Sequence, residues 1–143
     1  MIRGRSTLST QLVEAYEAAE YRVDAGVSFV LRIGRPSAAL ARVLRRHGTV
    51  ACAFITACNP EGQLLSAAEN AERTLELEAD LRRFAPLLLP ATGVDPAGHW
   101  PEEPGFLVLG CAPAVIEVLG RRYRQNAVVL CQEDAVPRLL LLR

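Results

Sequence analysis

The chain has 143 residues, half of them hydrophobic and 22% charged, with sixteen basic residues balanced by sixteen acidic ones. That length suits a single domain, 1–143, with its own core. The composition excludes a disordered or low-complexity chain, and the neutral balance excludes a globally basic nucleic-acid binder or a polyanion mimic.

Residues 6–19 read as a short helix, with Leu8, Leu12, Ala15, Tyr16 and Ala19 at helical spacing and Ser6 or Ser9 as its cap. From Tyr21 the period shortens to two. Tyr21 and Val23, the turn residues Asp24, Ala25 and Gly26, and then the alternating run 27–33 predict a hairpin. Pro36 or Ser37 starts a second helix with Leu40, Val43 and Leu44 on one face, Arg42, Arg45 and Arg46 toward its end, and Gly48 in the left-handed position after it. The apolar run 50–55 predicts a central strand buried on both faces.

A polar corner, Thr56 to Pro60, and a loop at Gly62 follow, before Ser66 and Glu69 form a capping box at the start of a long helix. Ala71, Leu75, Leu77, Leu81 and Phe84 are expected on its apolar side, and Glu69, Glu72, Glu76, Asp80 and Arg83 on the other. Asn70 projects onto the apolar side, with Arg73 at its edge. A carboxamide aimed inward needs partners, and the nearest lie in the corner 56–60. Residues 87–89 form a short strand, 92–101 a Pro/Gly loop carrying the only tryptophan, Trp100, and 106–109 a further strand. Pro113 opens a helix bearing Val115, Val118, Leu119 and Tyr123, which ends in Arg121, Arg122 and Arg124. Residues 127–130 and 138–142 are strands separated by a turn at Glu133 and Asp134. The resulting expectation is an α/β or α+β domain: a mixed sheet of about six strands with three to four helices against it.

Three polar clusters interrupt this apolar pattern at element boundaries: Thr56 and Asn59 with Asn70 and Arg73; Trp100 with Glu102 and Glu103; and Gln125 with Asn126. Boundaries are where such folds present ligand-binding groups, although the same residues serve as caps and turns. Cys52, Cys58, Cys111 and Cys131 form no C-x-x-C pair and no zinc-like grouping with His47 and His99. Reduced structural thiols are expected, with no metal and no cofactor. A Cys58–His99 catalytic pair lacks any group placed to orient the base. Arg3, Arg5, Gln11 and Glu14 interrupt any secretory segment, and no apolar run reaches the roughly 18 residues of a membrane span. A cytoplasmic location without membrane contact is therefore expected.

The segments ITACNP, SAAENAER, WPEEPGFLVLG and RRYRQNAVV, with YRV and FVLRIG upstream, resemble the bacterial domain-of-unknown-function family DUF3293 from about residue 16 to the C-terminus. The resemblance implies characteristic polar positions at Thr56, Asn59, Glu69, Asn70, Arg73, Glu103 and Gln125, but no known activity. It also implies an aromatic residue, typically Trp, where this chain has Cys58, which weakens that thiol as a nucleophile.

Two functions are carried forward. In the first, Thr56, Asn59, Asn70, Arg73, Trp100, Gln125 and Asn126 bind a small-molecule or nucleotide-like ligand. The carboxamides supply hydrogen bonds, Arg73 an anion contact and Glu103 a general base, with catalysis left open. In the second, the polar residues are an internal network and the chain is an interaction module that pairs with another copy through the C-terminal strand. Nucleic-acid binding through the two arginine clusters ranks below both.

Overall fold

Residues 6–143 are described by a computed structural model. Its elements in chain order are α1 (Thr10–Ala18), β1 (Glu20–Asp24), β2 (Ser28–Arg32), α2 (Ala38–Arg46), β3 (Cys52–Thr56), α3 (Ala67–Arg82), β4 (Leu87–Val94), β5 (Glu103–Leu109), α4 (Pro113–Arg122), β6 (Ala127–Cys131) and β7 (Arg138–Leu141). The helix caps are those the residue types call for. Ser9 and Ser37 each accept an amide hydrogen bond at the start of α1 and α2, and the Ser66–Glu69 capping box is complete on α3. Each such cap stabilises its helix by about 1 kcal/mol. The first helix therefore starts at Thr10, later than the pattern at 6–19 suggested.

All seven strands join one sheet in the order β2-β1-β4-β5-β3-β6-β7, and every pairing is antiparallel. The fold is α+β and single-domain, and two details of the sequence-based expectation change: the sheet has seven strands, and it is antiparallel throughout. The connections explain the second change. The β3-α3-β4 crossover leaves room for β5 between its strands, and β5-α4-β6 does the same for β3. Parallel partners are thus never neighbours, which is the β-α-β-β-α-β order of a split βαβ fold. The β1–β2 hairpin extends one side of this unit, and β7 extends the other.

The β3 strand is buried along its whole length because both of its faces are covered. Ala53 and Ile55 face Leu77 and Leu81 of α3 and Ile116 and Leu119 of α4. Cys52 and Phe54 face Tyr21, Leu31 and the α2 residues Leu40 and Leu44. Each fully buried leucine contributes roughly 2 kcal/mol. Gly105 sits where β5 crosses β3: a Cβ there would collide with the Ile55 carbonyl oxygen.

Several local expectations are corrected. The short strand at 87–89 continues through Thr92, Gly93 and Val94, residues that composition assigned to the loop. Pro90 is tolerated because β1 pairs only with Ala91–Val94, so no partner on that side needs its missing N–H. On α3 the inward stripe is Asn70, Arg73, Thr74, Leu77 and Leu81, whereas Leu75 and Phe84 are exposed. On α4, Ile116 and Gly120 are buried, while Val118 is exposed. As expected, β7 is an edge strand. The chain entering it is tied to the far side of the sheet, since Gly34 N–H donates to Pro137 O at 2.8 Å and Ser37 N–H to Ala135 O at 3.0 Å. No helix of the described residues is long and apolar enough to cross a membrane.

Candidate functional site

Register creates a cavity that no single segment foretells. Tyr21 of β1 pairs with Gly93 of β4, and Gly93 pairs with Glu103 of β5, so the three form one row across the sheet. Gly93 has no side chain to fill the middle of that row. The space, about 50 Å³, is walled by Tyr16, Tyr21, Phe54, Thr56, Asn59, Trp100, Glu103, Gln125 and Asn126, among others. A Cβ on Gly93 would meet Phe54 at an ordinary 3.6 Å, so the vacancy is a choice of residue and the packing does not impose it.

Glu103 is the charged group of this cavity. Among the described residues it accepts one hydrogen bond, from Asn59 Nδ2 at 2.8 Å, and pairs with no cation. Burial raises its pKa above the usual carboxylate range, and the Asn59 amide offsets part of that. The phenol of Tyr21 donates to Tyr16 O at 2.9 Å, and Asn126 Nδ2 donates to the phenol oxygen of Tyr16 at 3.0 Å. Both phenols are pushed to higher pKa, mainly by burial, with the Glu103 charge adding to it. Arg143 reaches the Asn126 end at 3.4 Å and is itself 3.6 Å from Glu61.

Behind Asn59 lies a second cluster of a different kind. Asn59 adopts the left-handed conformation (φ 48°, ψ 64°), which Asn tolerates better than most residues. Its N–H donates to Asn70 Oδ1 at 3.0 Å, and its Oδ1 accepts from Asn70 Nδ2 at 2.9 Å and from Leu65 N–H at 3.0 Å. Arg73 donates through Nε to Ala57 O at 2.7 Å and through Nη2 to Tyr123 O at 2.6 Å, with its guanidinium over the Tyr123 ring. Gln125 Nε2 donates to Cys58 O and Tyr123 O at 3.1 and 3.2 Å. These residues satisfy the carbonyls that β3 and α4 expose where they end.

The structure therefore divides the sequence-selected residues. Thr56, Asn59, Trp100, Glu103, Gln125 and Asn126 converge on the cavity. Arg73 is committed to backbone carbonyls and does not line it. Asn70 holds Asn59 from behind and faces an open apolar groove of about 670 Å³ between α3 and Pro101–Pro104. Glu69 caps α3 with Ser66. Tyr16, Tyr21 and Gly93 were missed as cavity residues. The alternation of β1 marks Tyr21 as inward-facing, but nothing local places it opposite Glu103.

Other candidates separate. The Cys58 thiol donates to Pro104 O at 3.4 Å and is pushed to higher pKa, chiefly by burial, while His99 is exposed beside Asp95. All four cysteines are free and buried. Arg121, Arg122 and Arg124 are paired with Glu117, Asp80 and Glu61, which neutralises much of one arginine cluster. No group of three or more His, Cys, Asp or Glu side chains that could hold a metal gathers among the described residues.

The sequence model of the family described as "Protein of unknown function (DUF3293)" matches residues 55–128, from the end of β3 to the start of β6. No curated protein and no solved structure matches the chain.

Proposed function

The chain belongs to the DUF3293 family, and from that premise we propose that it is a ligand-binding domain whose site is the Tyr21–Gly93–Glu103 cavity. One observation carries this reading: a partly buried carboxylate that accepts a single hydrogen bond among the described residues faces a space that an alanine at Gly93 would narrow without a clash. Withdrawing a carboxylate from water is costly even in part, and a partner arriving in the cavity would offset that cost. The volume is far below the roughly 300 Å³ of a pocket that swallows a drug-sized molecule. The cavity thus takes the head of a small ligand, and Trp100 lines it while packing against the core. An anionic or phosphate-bearing ligand is disfavoured, because Glu103 is the charged group lining the cavity and Arg73 does not line it. If the bound group reacts, Glu103 is the proton acceptor, since its raised pKa brings it nearer neutrality.

A thermal-shift screen of small polar metabolites against the wild type and Gly93→Ala tests this. The expected result is a ligand that raises the wild-type midpoint, with the response lost in a variant that folds normally. A response of equal size in Gly93→Ala would place binding elsewhere. Self-pairing through the β7 edge is the weaker reading, because the chain entering that strand is already tied to Gly34 and Ser37. Light scattering would support it only if a dimer vanished on removal of residues 138–143.

A further inference from the structure

Among the described residues no cation pairs with Glu103, and four aromatic residues stand in the walls around it: Tyr16, Tyr21, Phe54 and Trp100. A carboxylate supplies charge and two acceptor oxygens, and ring faces attract cations through their quadrupole. Only Asn59 donates to this carboxylate among the described residues, leaving acceptor capacity for further donors. Gln125 adds to the supply: its Nε2 is engaged by Cys58 O and Tyr123 O, while its Oε1 accepts nothing among the described residues. Spare acceptors, a negative charge with no cation beside it among the described residues, and aromatic walls form a complement to a donor-rich cation.

Size narrows the choice. About 50 Å³ suits a head group of a few atoms better than a sugar or a nucleobase. A guanidinium is planar and uses its donors best against both oxygens of a carboxylate at once, and Glu103 Oε2 already accepts from Asn59, whereas an ammonium is a compact point charge with three donors that a single free oxygen can anchor. Trp100 is half-buried on a largely exposed loop and lines the cavity, so its indole lies between the space and solvent-exposed residues.

Resting on the reading of this cavity as the ligand site, we infer that it binds a primary alkylammonium group, seated between Glu103 and the rings of Tyr21, Phe54 and Trp100. The single tryptophan makes the site self-reporting. The probes are n-butylammonium chloride and its neutral isostere n-butanol, with ionic strength held constant by sodium chloride, read by Trp100 emission and by melting temperature. The expected result is a saturable emission change and a rise in Tm with the ammonium at millimolar concentration, with the alcohol at least tenfold weaker. Glu103→Gln should bring the two probes within about threefold of each other. If the alcohol binds wild type as well as the ammonium does, the cation inference is overturned and the cavity remains a binding site. That comparison needs no variant. If neither probe registers by either readout, both the inference and the site it rests on fall, and the cavity is a hydrated seam.

Discussion

Two polar clusters meet at Asn59 and differ in what their charged groups are bound to. Behind it, Asn70 and Arg73 find their partners within the protein, mostly on the backbone. In front of it, Glu103 has one amide and, among the described residues, no cation. The residue types are similar on the two sides, so type alone does not separate scaffold from site. A charge facing a space without a cation among the described residues does. A network tied to the backbone specifies a packing arrangement, whereas a carboxylate held by one amide can respond to something that arrives.

The largest effect expected from breaking this contrast is at Arg73. Arg73→Ala removes two charge-assisted hydrogen bonds and leaves the carbonyls of Ala57 and Tyr123 without them, a loss of about 3 kcal/mol in urea unfolding. Lysine should restore less than half, because it lacks the fork that spans two carbonyls. A loss below about 1 kcal/mol would show that the rear cluster does not hold the end of β3.

Asn70→Ala should cost less, about 1–2 kcal/mol, because it strands the Asn59 N–H but leaves Leu65 bonded to Asn59 Oδ1. Trp100 emission should stay at its wild-type maximum. A shift there as large as one produced by a cavity variant would merge the two clusters into one.

The smallest effect at neutral pH, and the sharpest test, is at Glu103. Its pKa is raised in the folded state, chiefly by burial, so the folded protein holds this proton more tightly than the unfolded chain. The resulting stabilisation is complete below the unfolded value of about 4.3 and is lost as pH rises through the folded value. The difference in stability between wild type and Glu103→Gln should therefore move in favour of wild type as pH falls from 8 toward 4.5. Parallel pH profiles for the two proteins would mean that Glu103 is solvated as well as any surface carboxylate.

How far the sequence foretells this arrangement depends on the range of the interaction involved. Ser66 and Glu69 lie three residues apart and fix the start of α3 by themselves, and the apolar run ending at Ile55 announces a strand covered on both faces. Pro90 and Gly93 misled, because both are strand breakers in isolation. They sit in β4 for reasons set by its neighbours: β1 pairing begins just beyond Pro90, and the Tyr21–Glu103 row leaves Gly93 open. Asn70 was legible as a buried amide needing partners near residue 59, since one helix wheel and one corner suffice for that. That Arg73 would end on Tyr123 O, fifty residues away, was not. The convergence of Tyr21 with Glu103 was equally hidden, since it depends on the register of three strands.

Asn59 belongs to both clusters through the two ends of one amide: Nδ2 holds Glu103, while Oδ1 holds Leu65 and Asn70. Turning that amide over would set donor against donor on one side and acceptor against acceptor on the other, so the group moves as a unit or not at all. Occupancy of the cavity and order in the first turn of α3 then share a free energy, and linkage makes the exchange reciprocal. A ligand at Glu103 should slow hydrogen exchange at the amides of Leu65 and Asn70. By the same reciprocity, a partner that docks on the exposed Leu64 and steadies that turn would tighten a cavity it never touches.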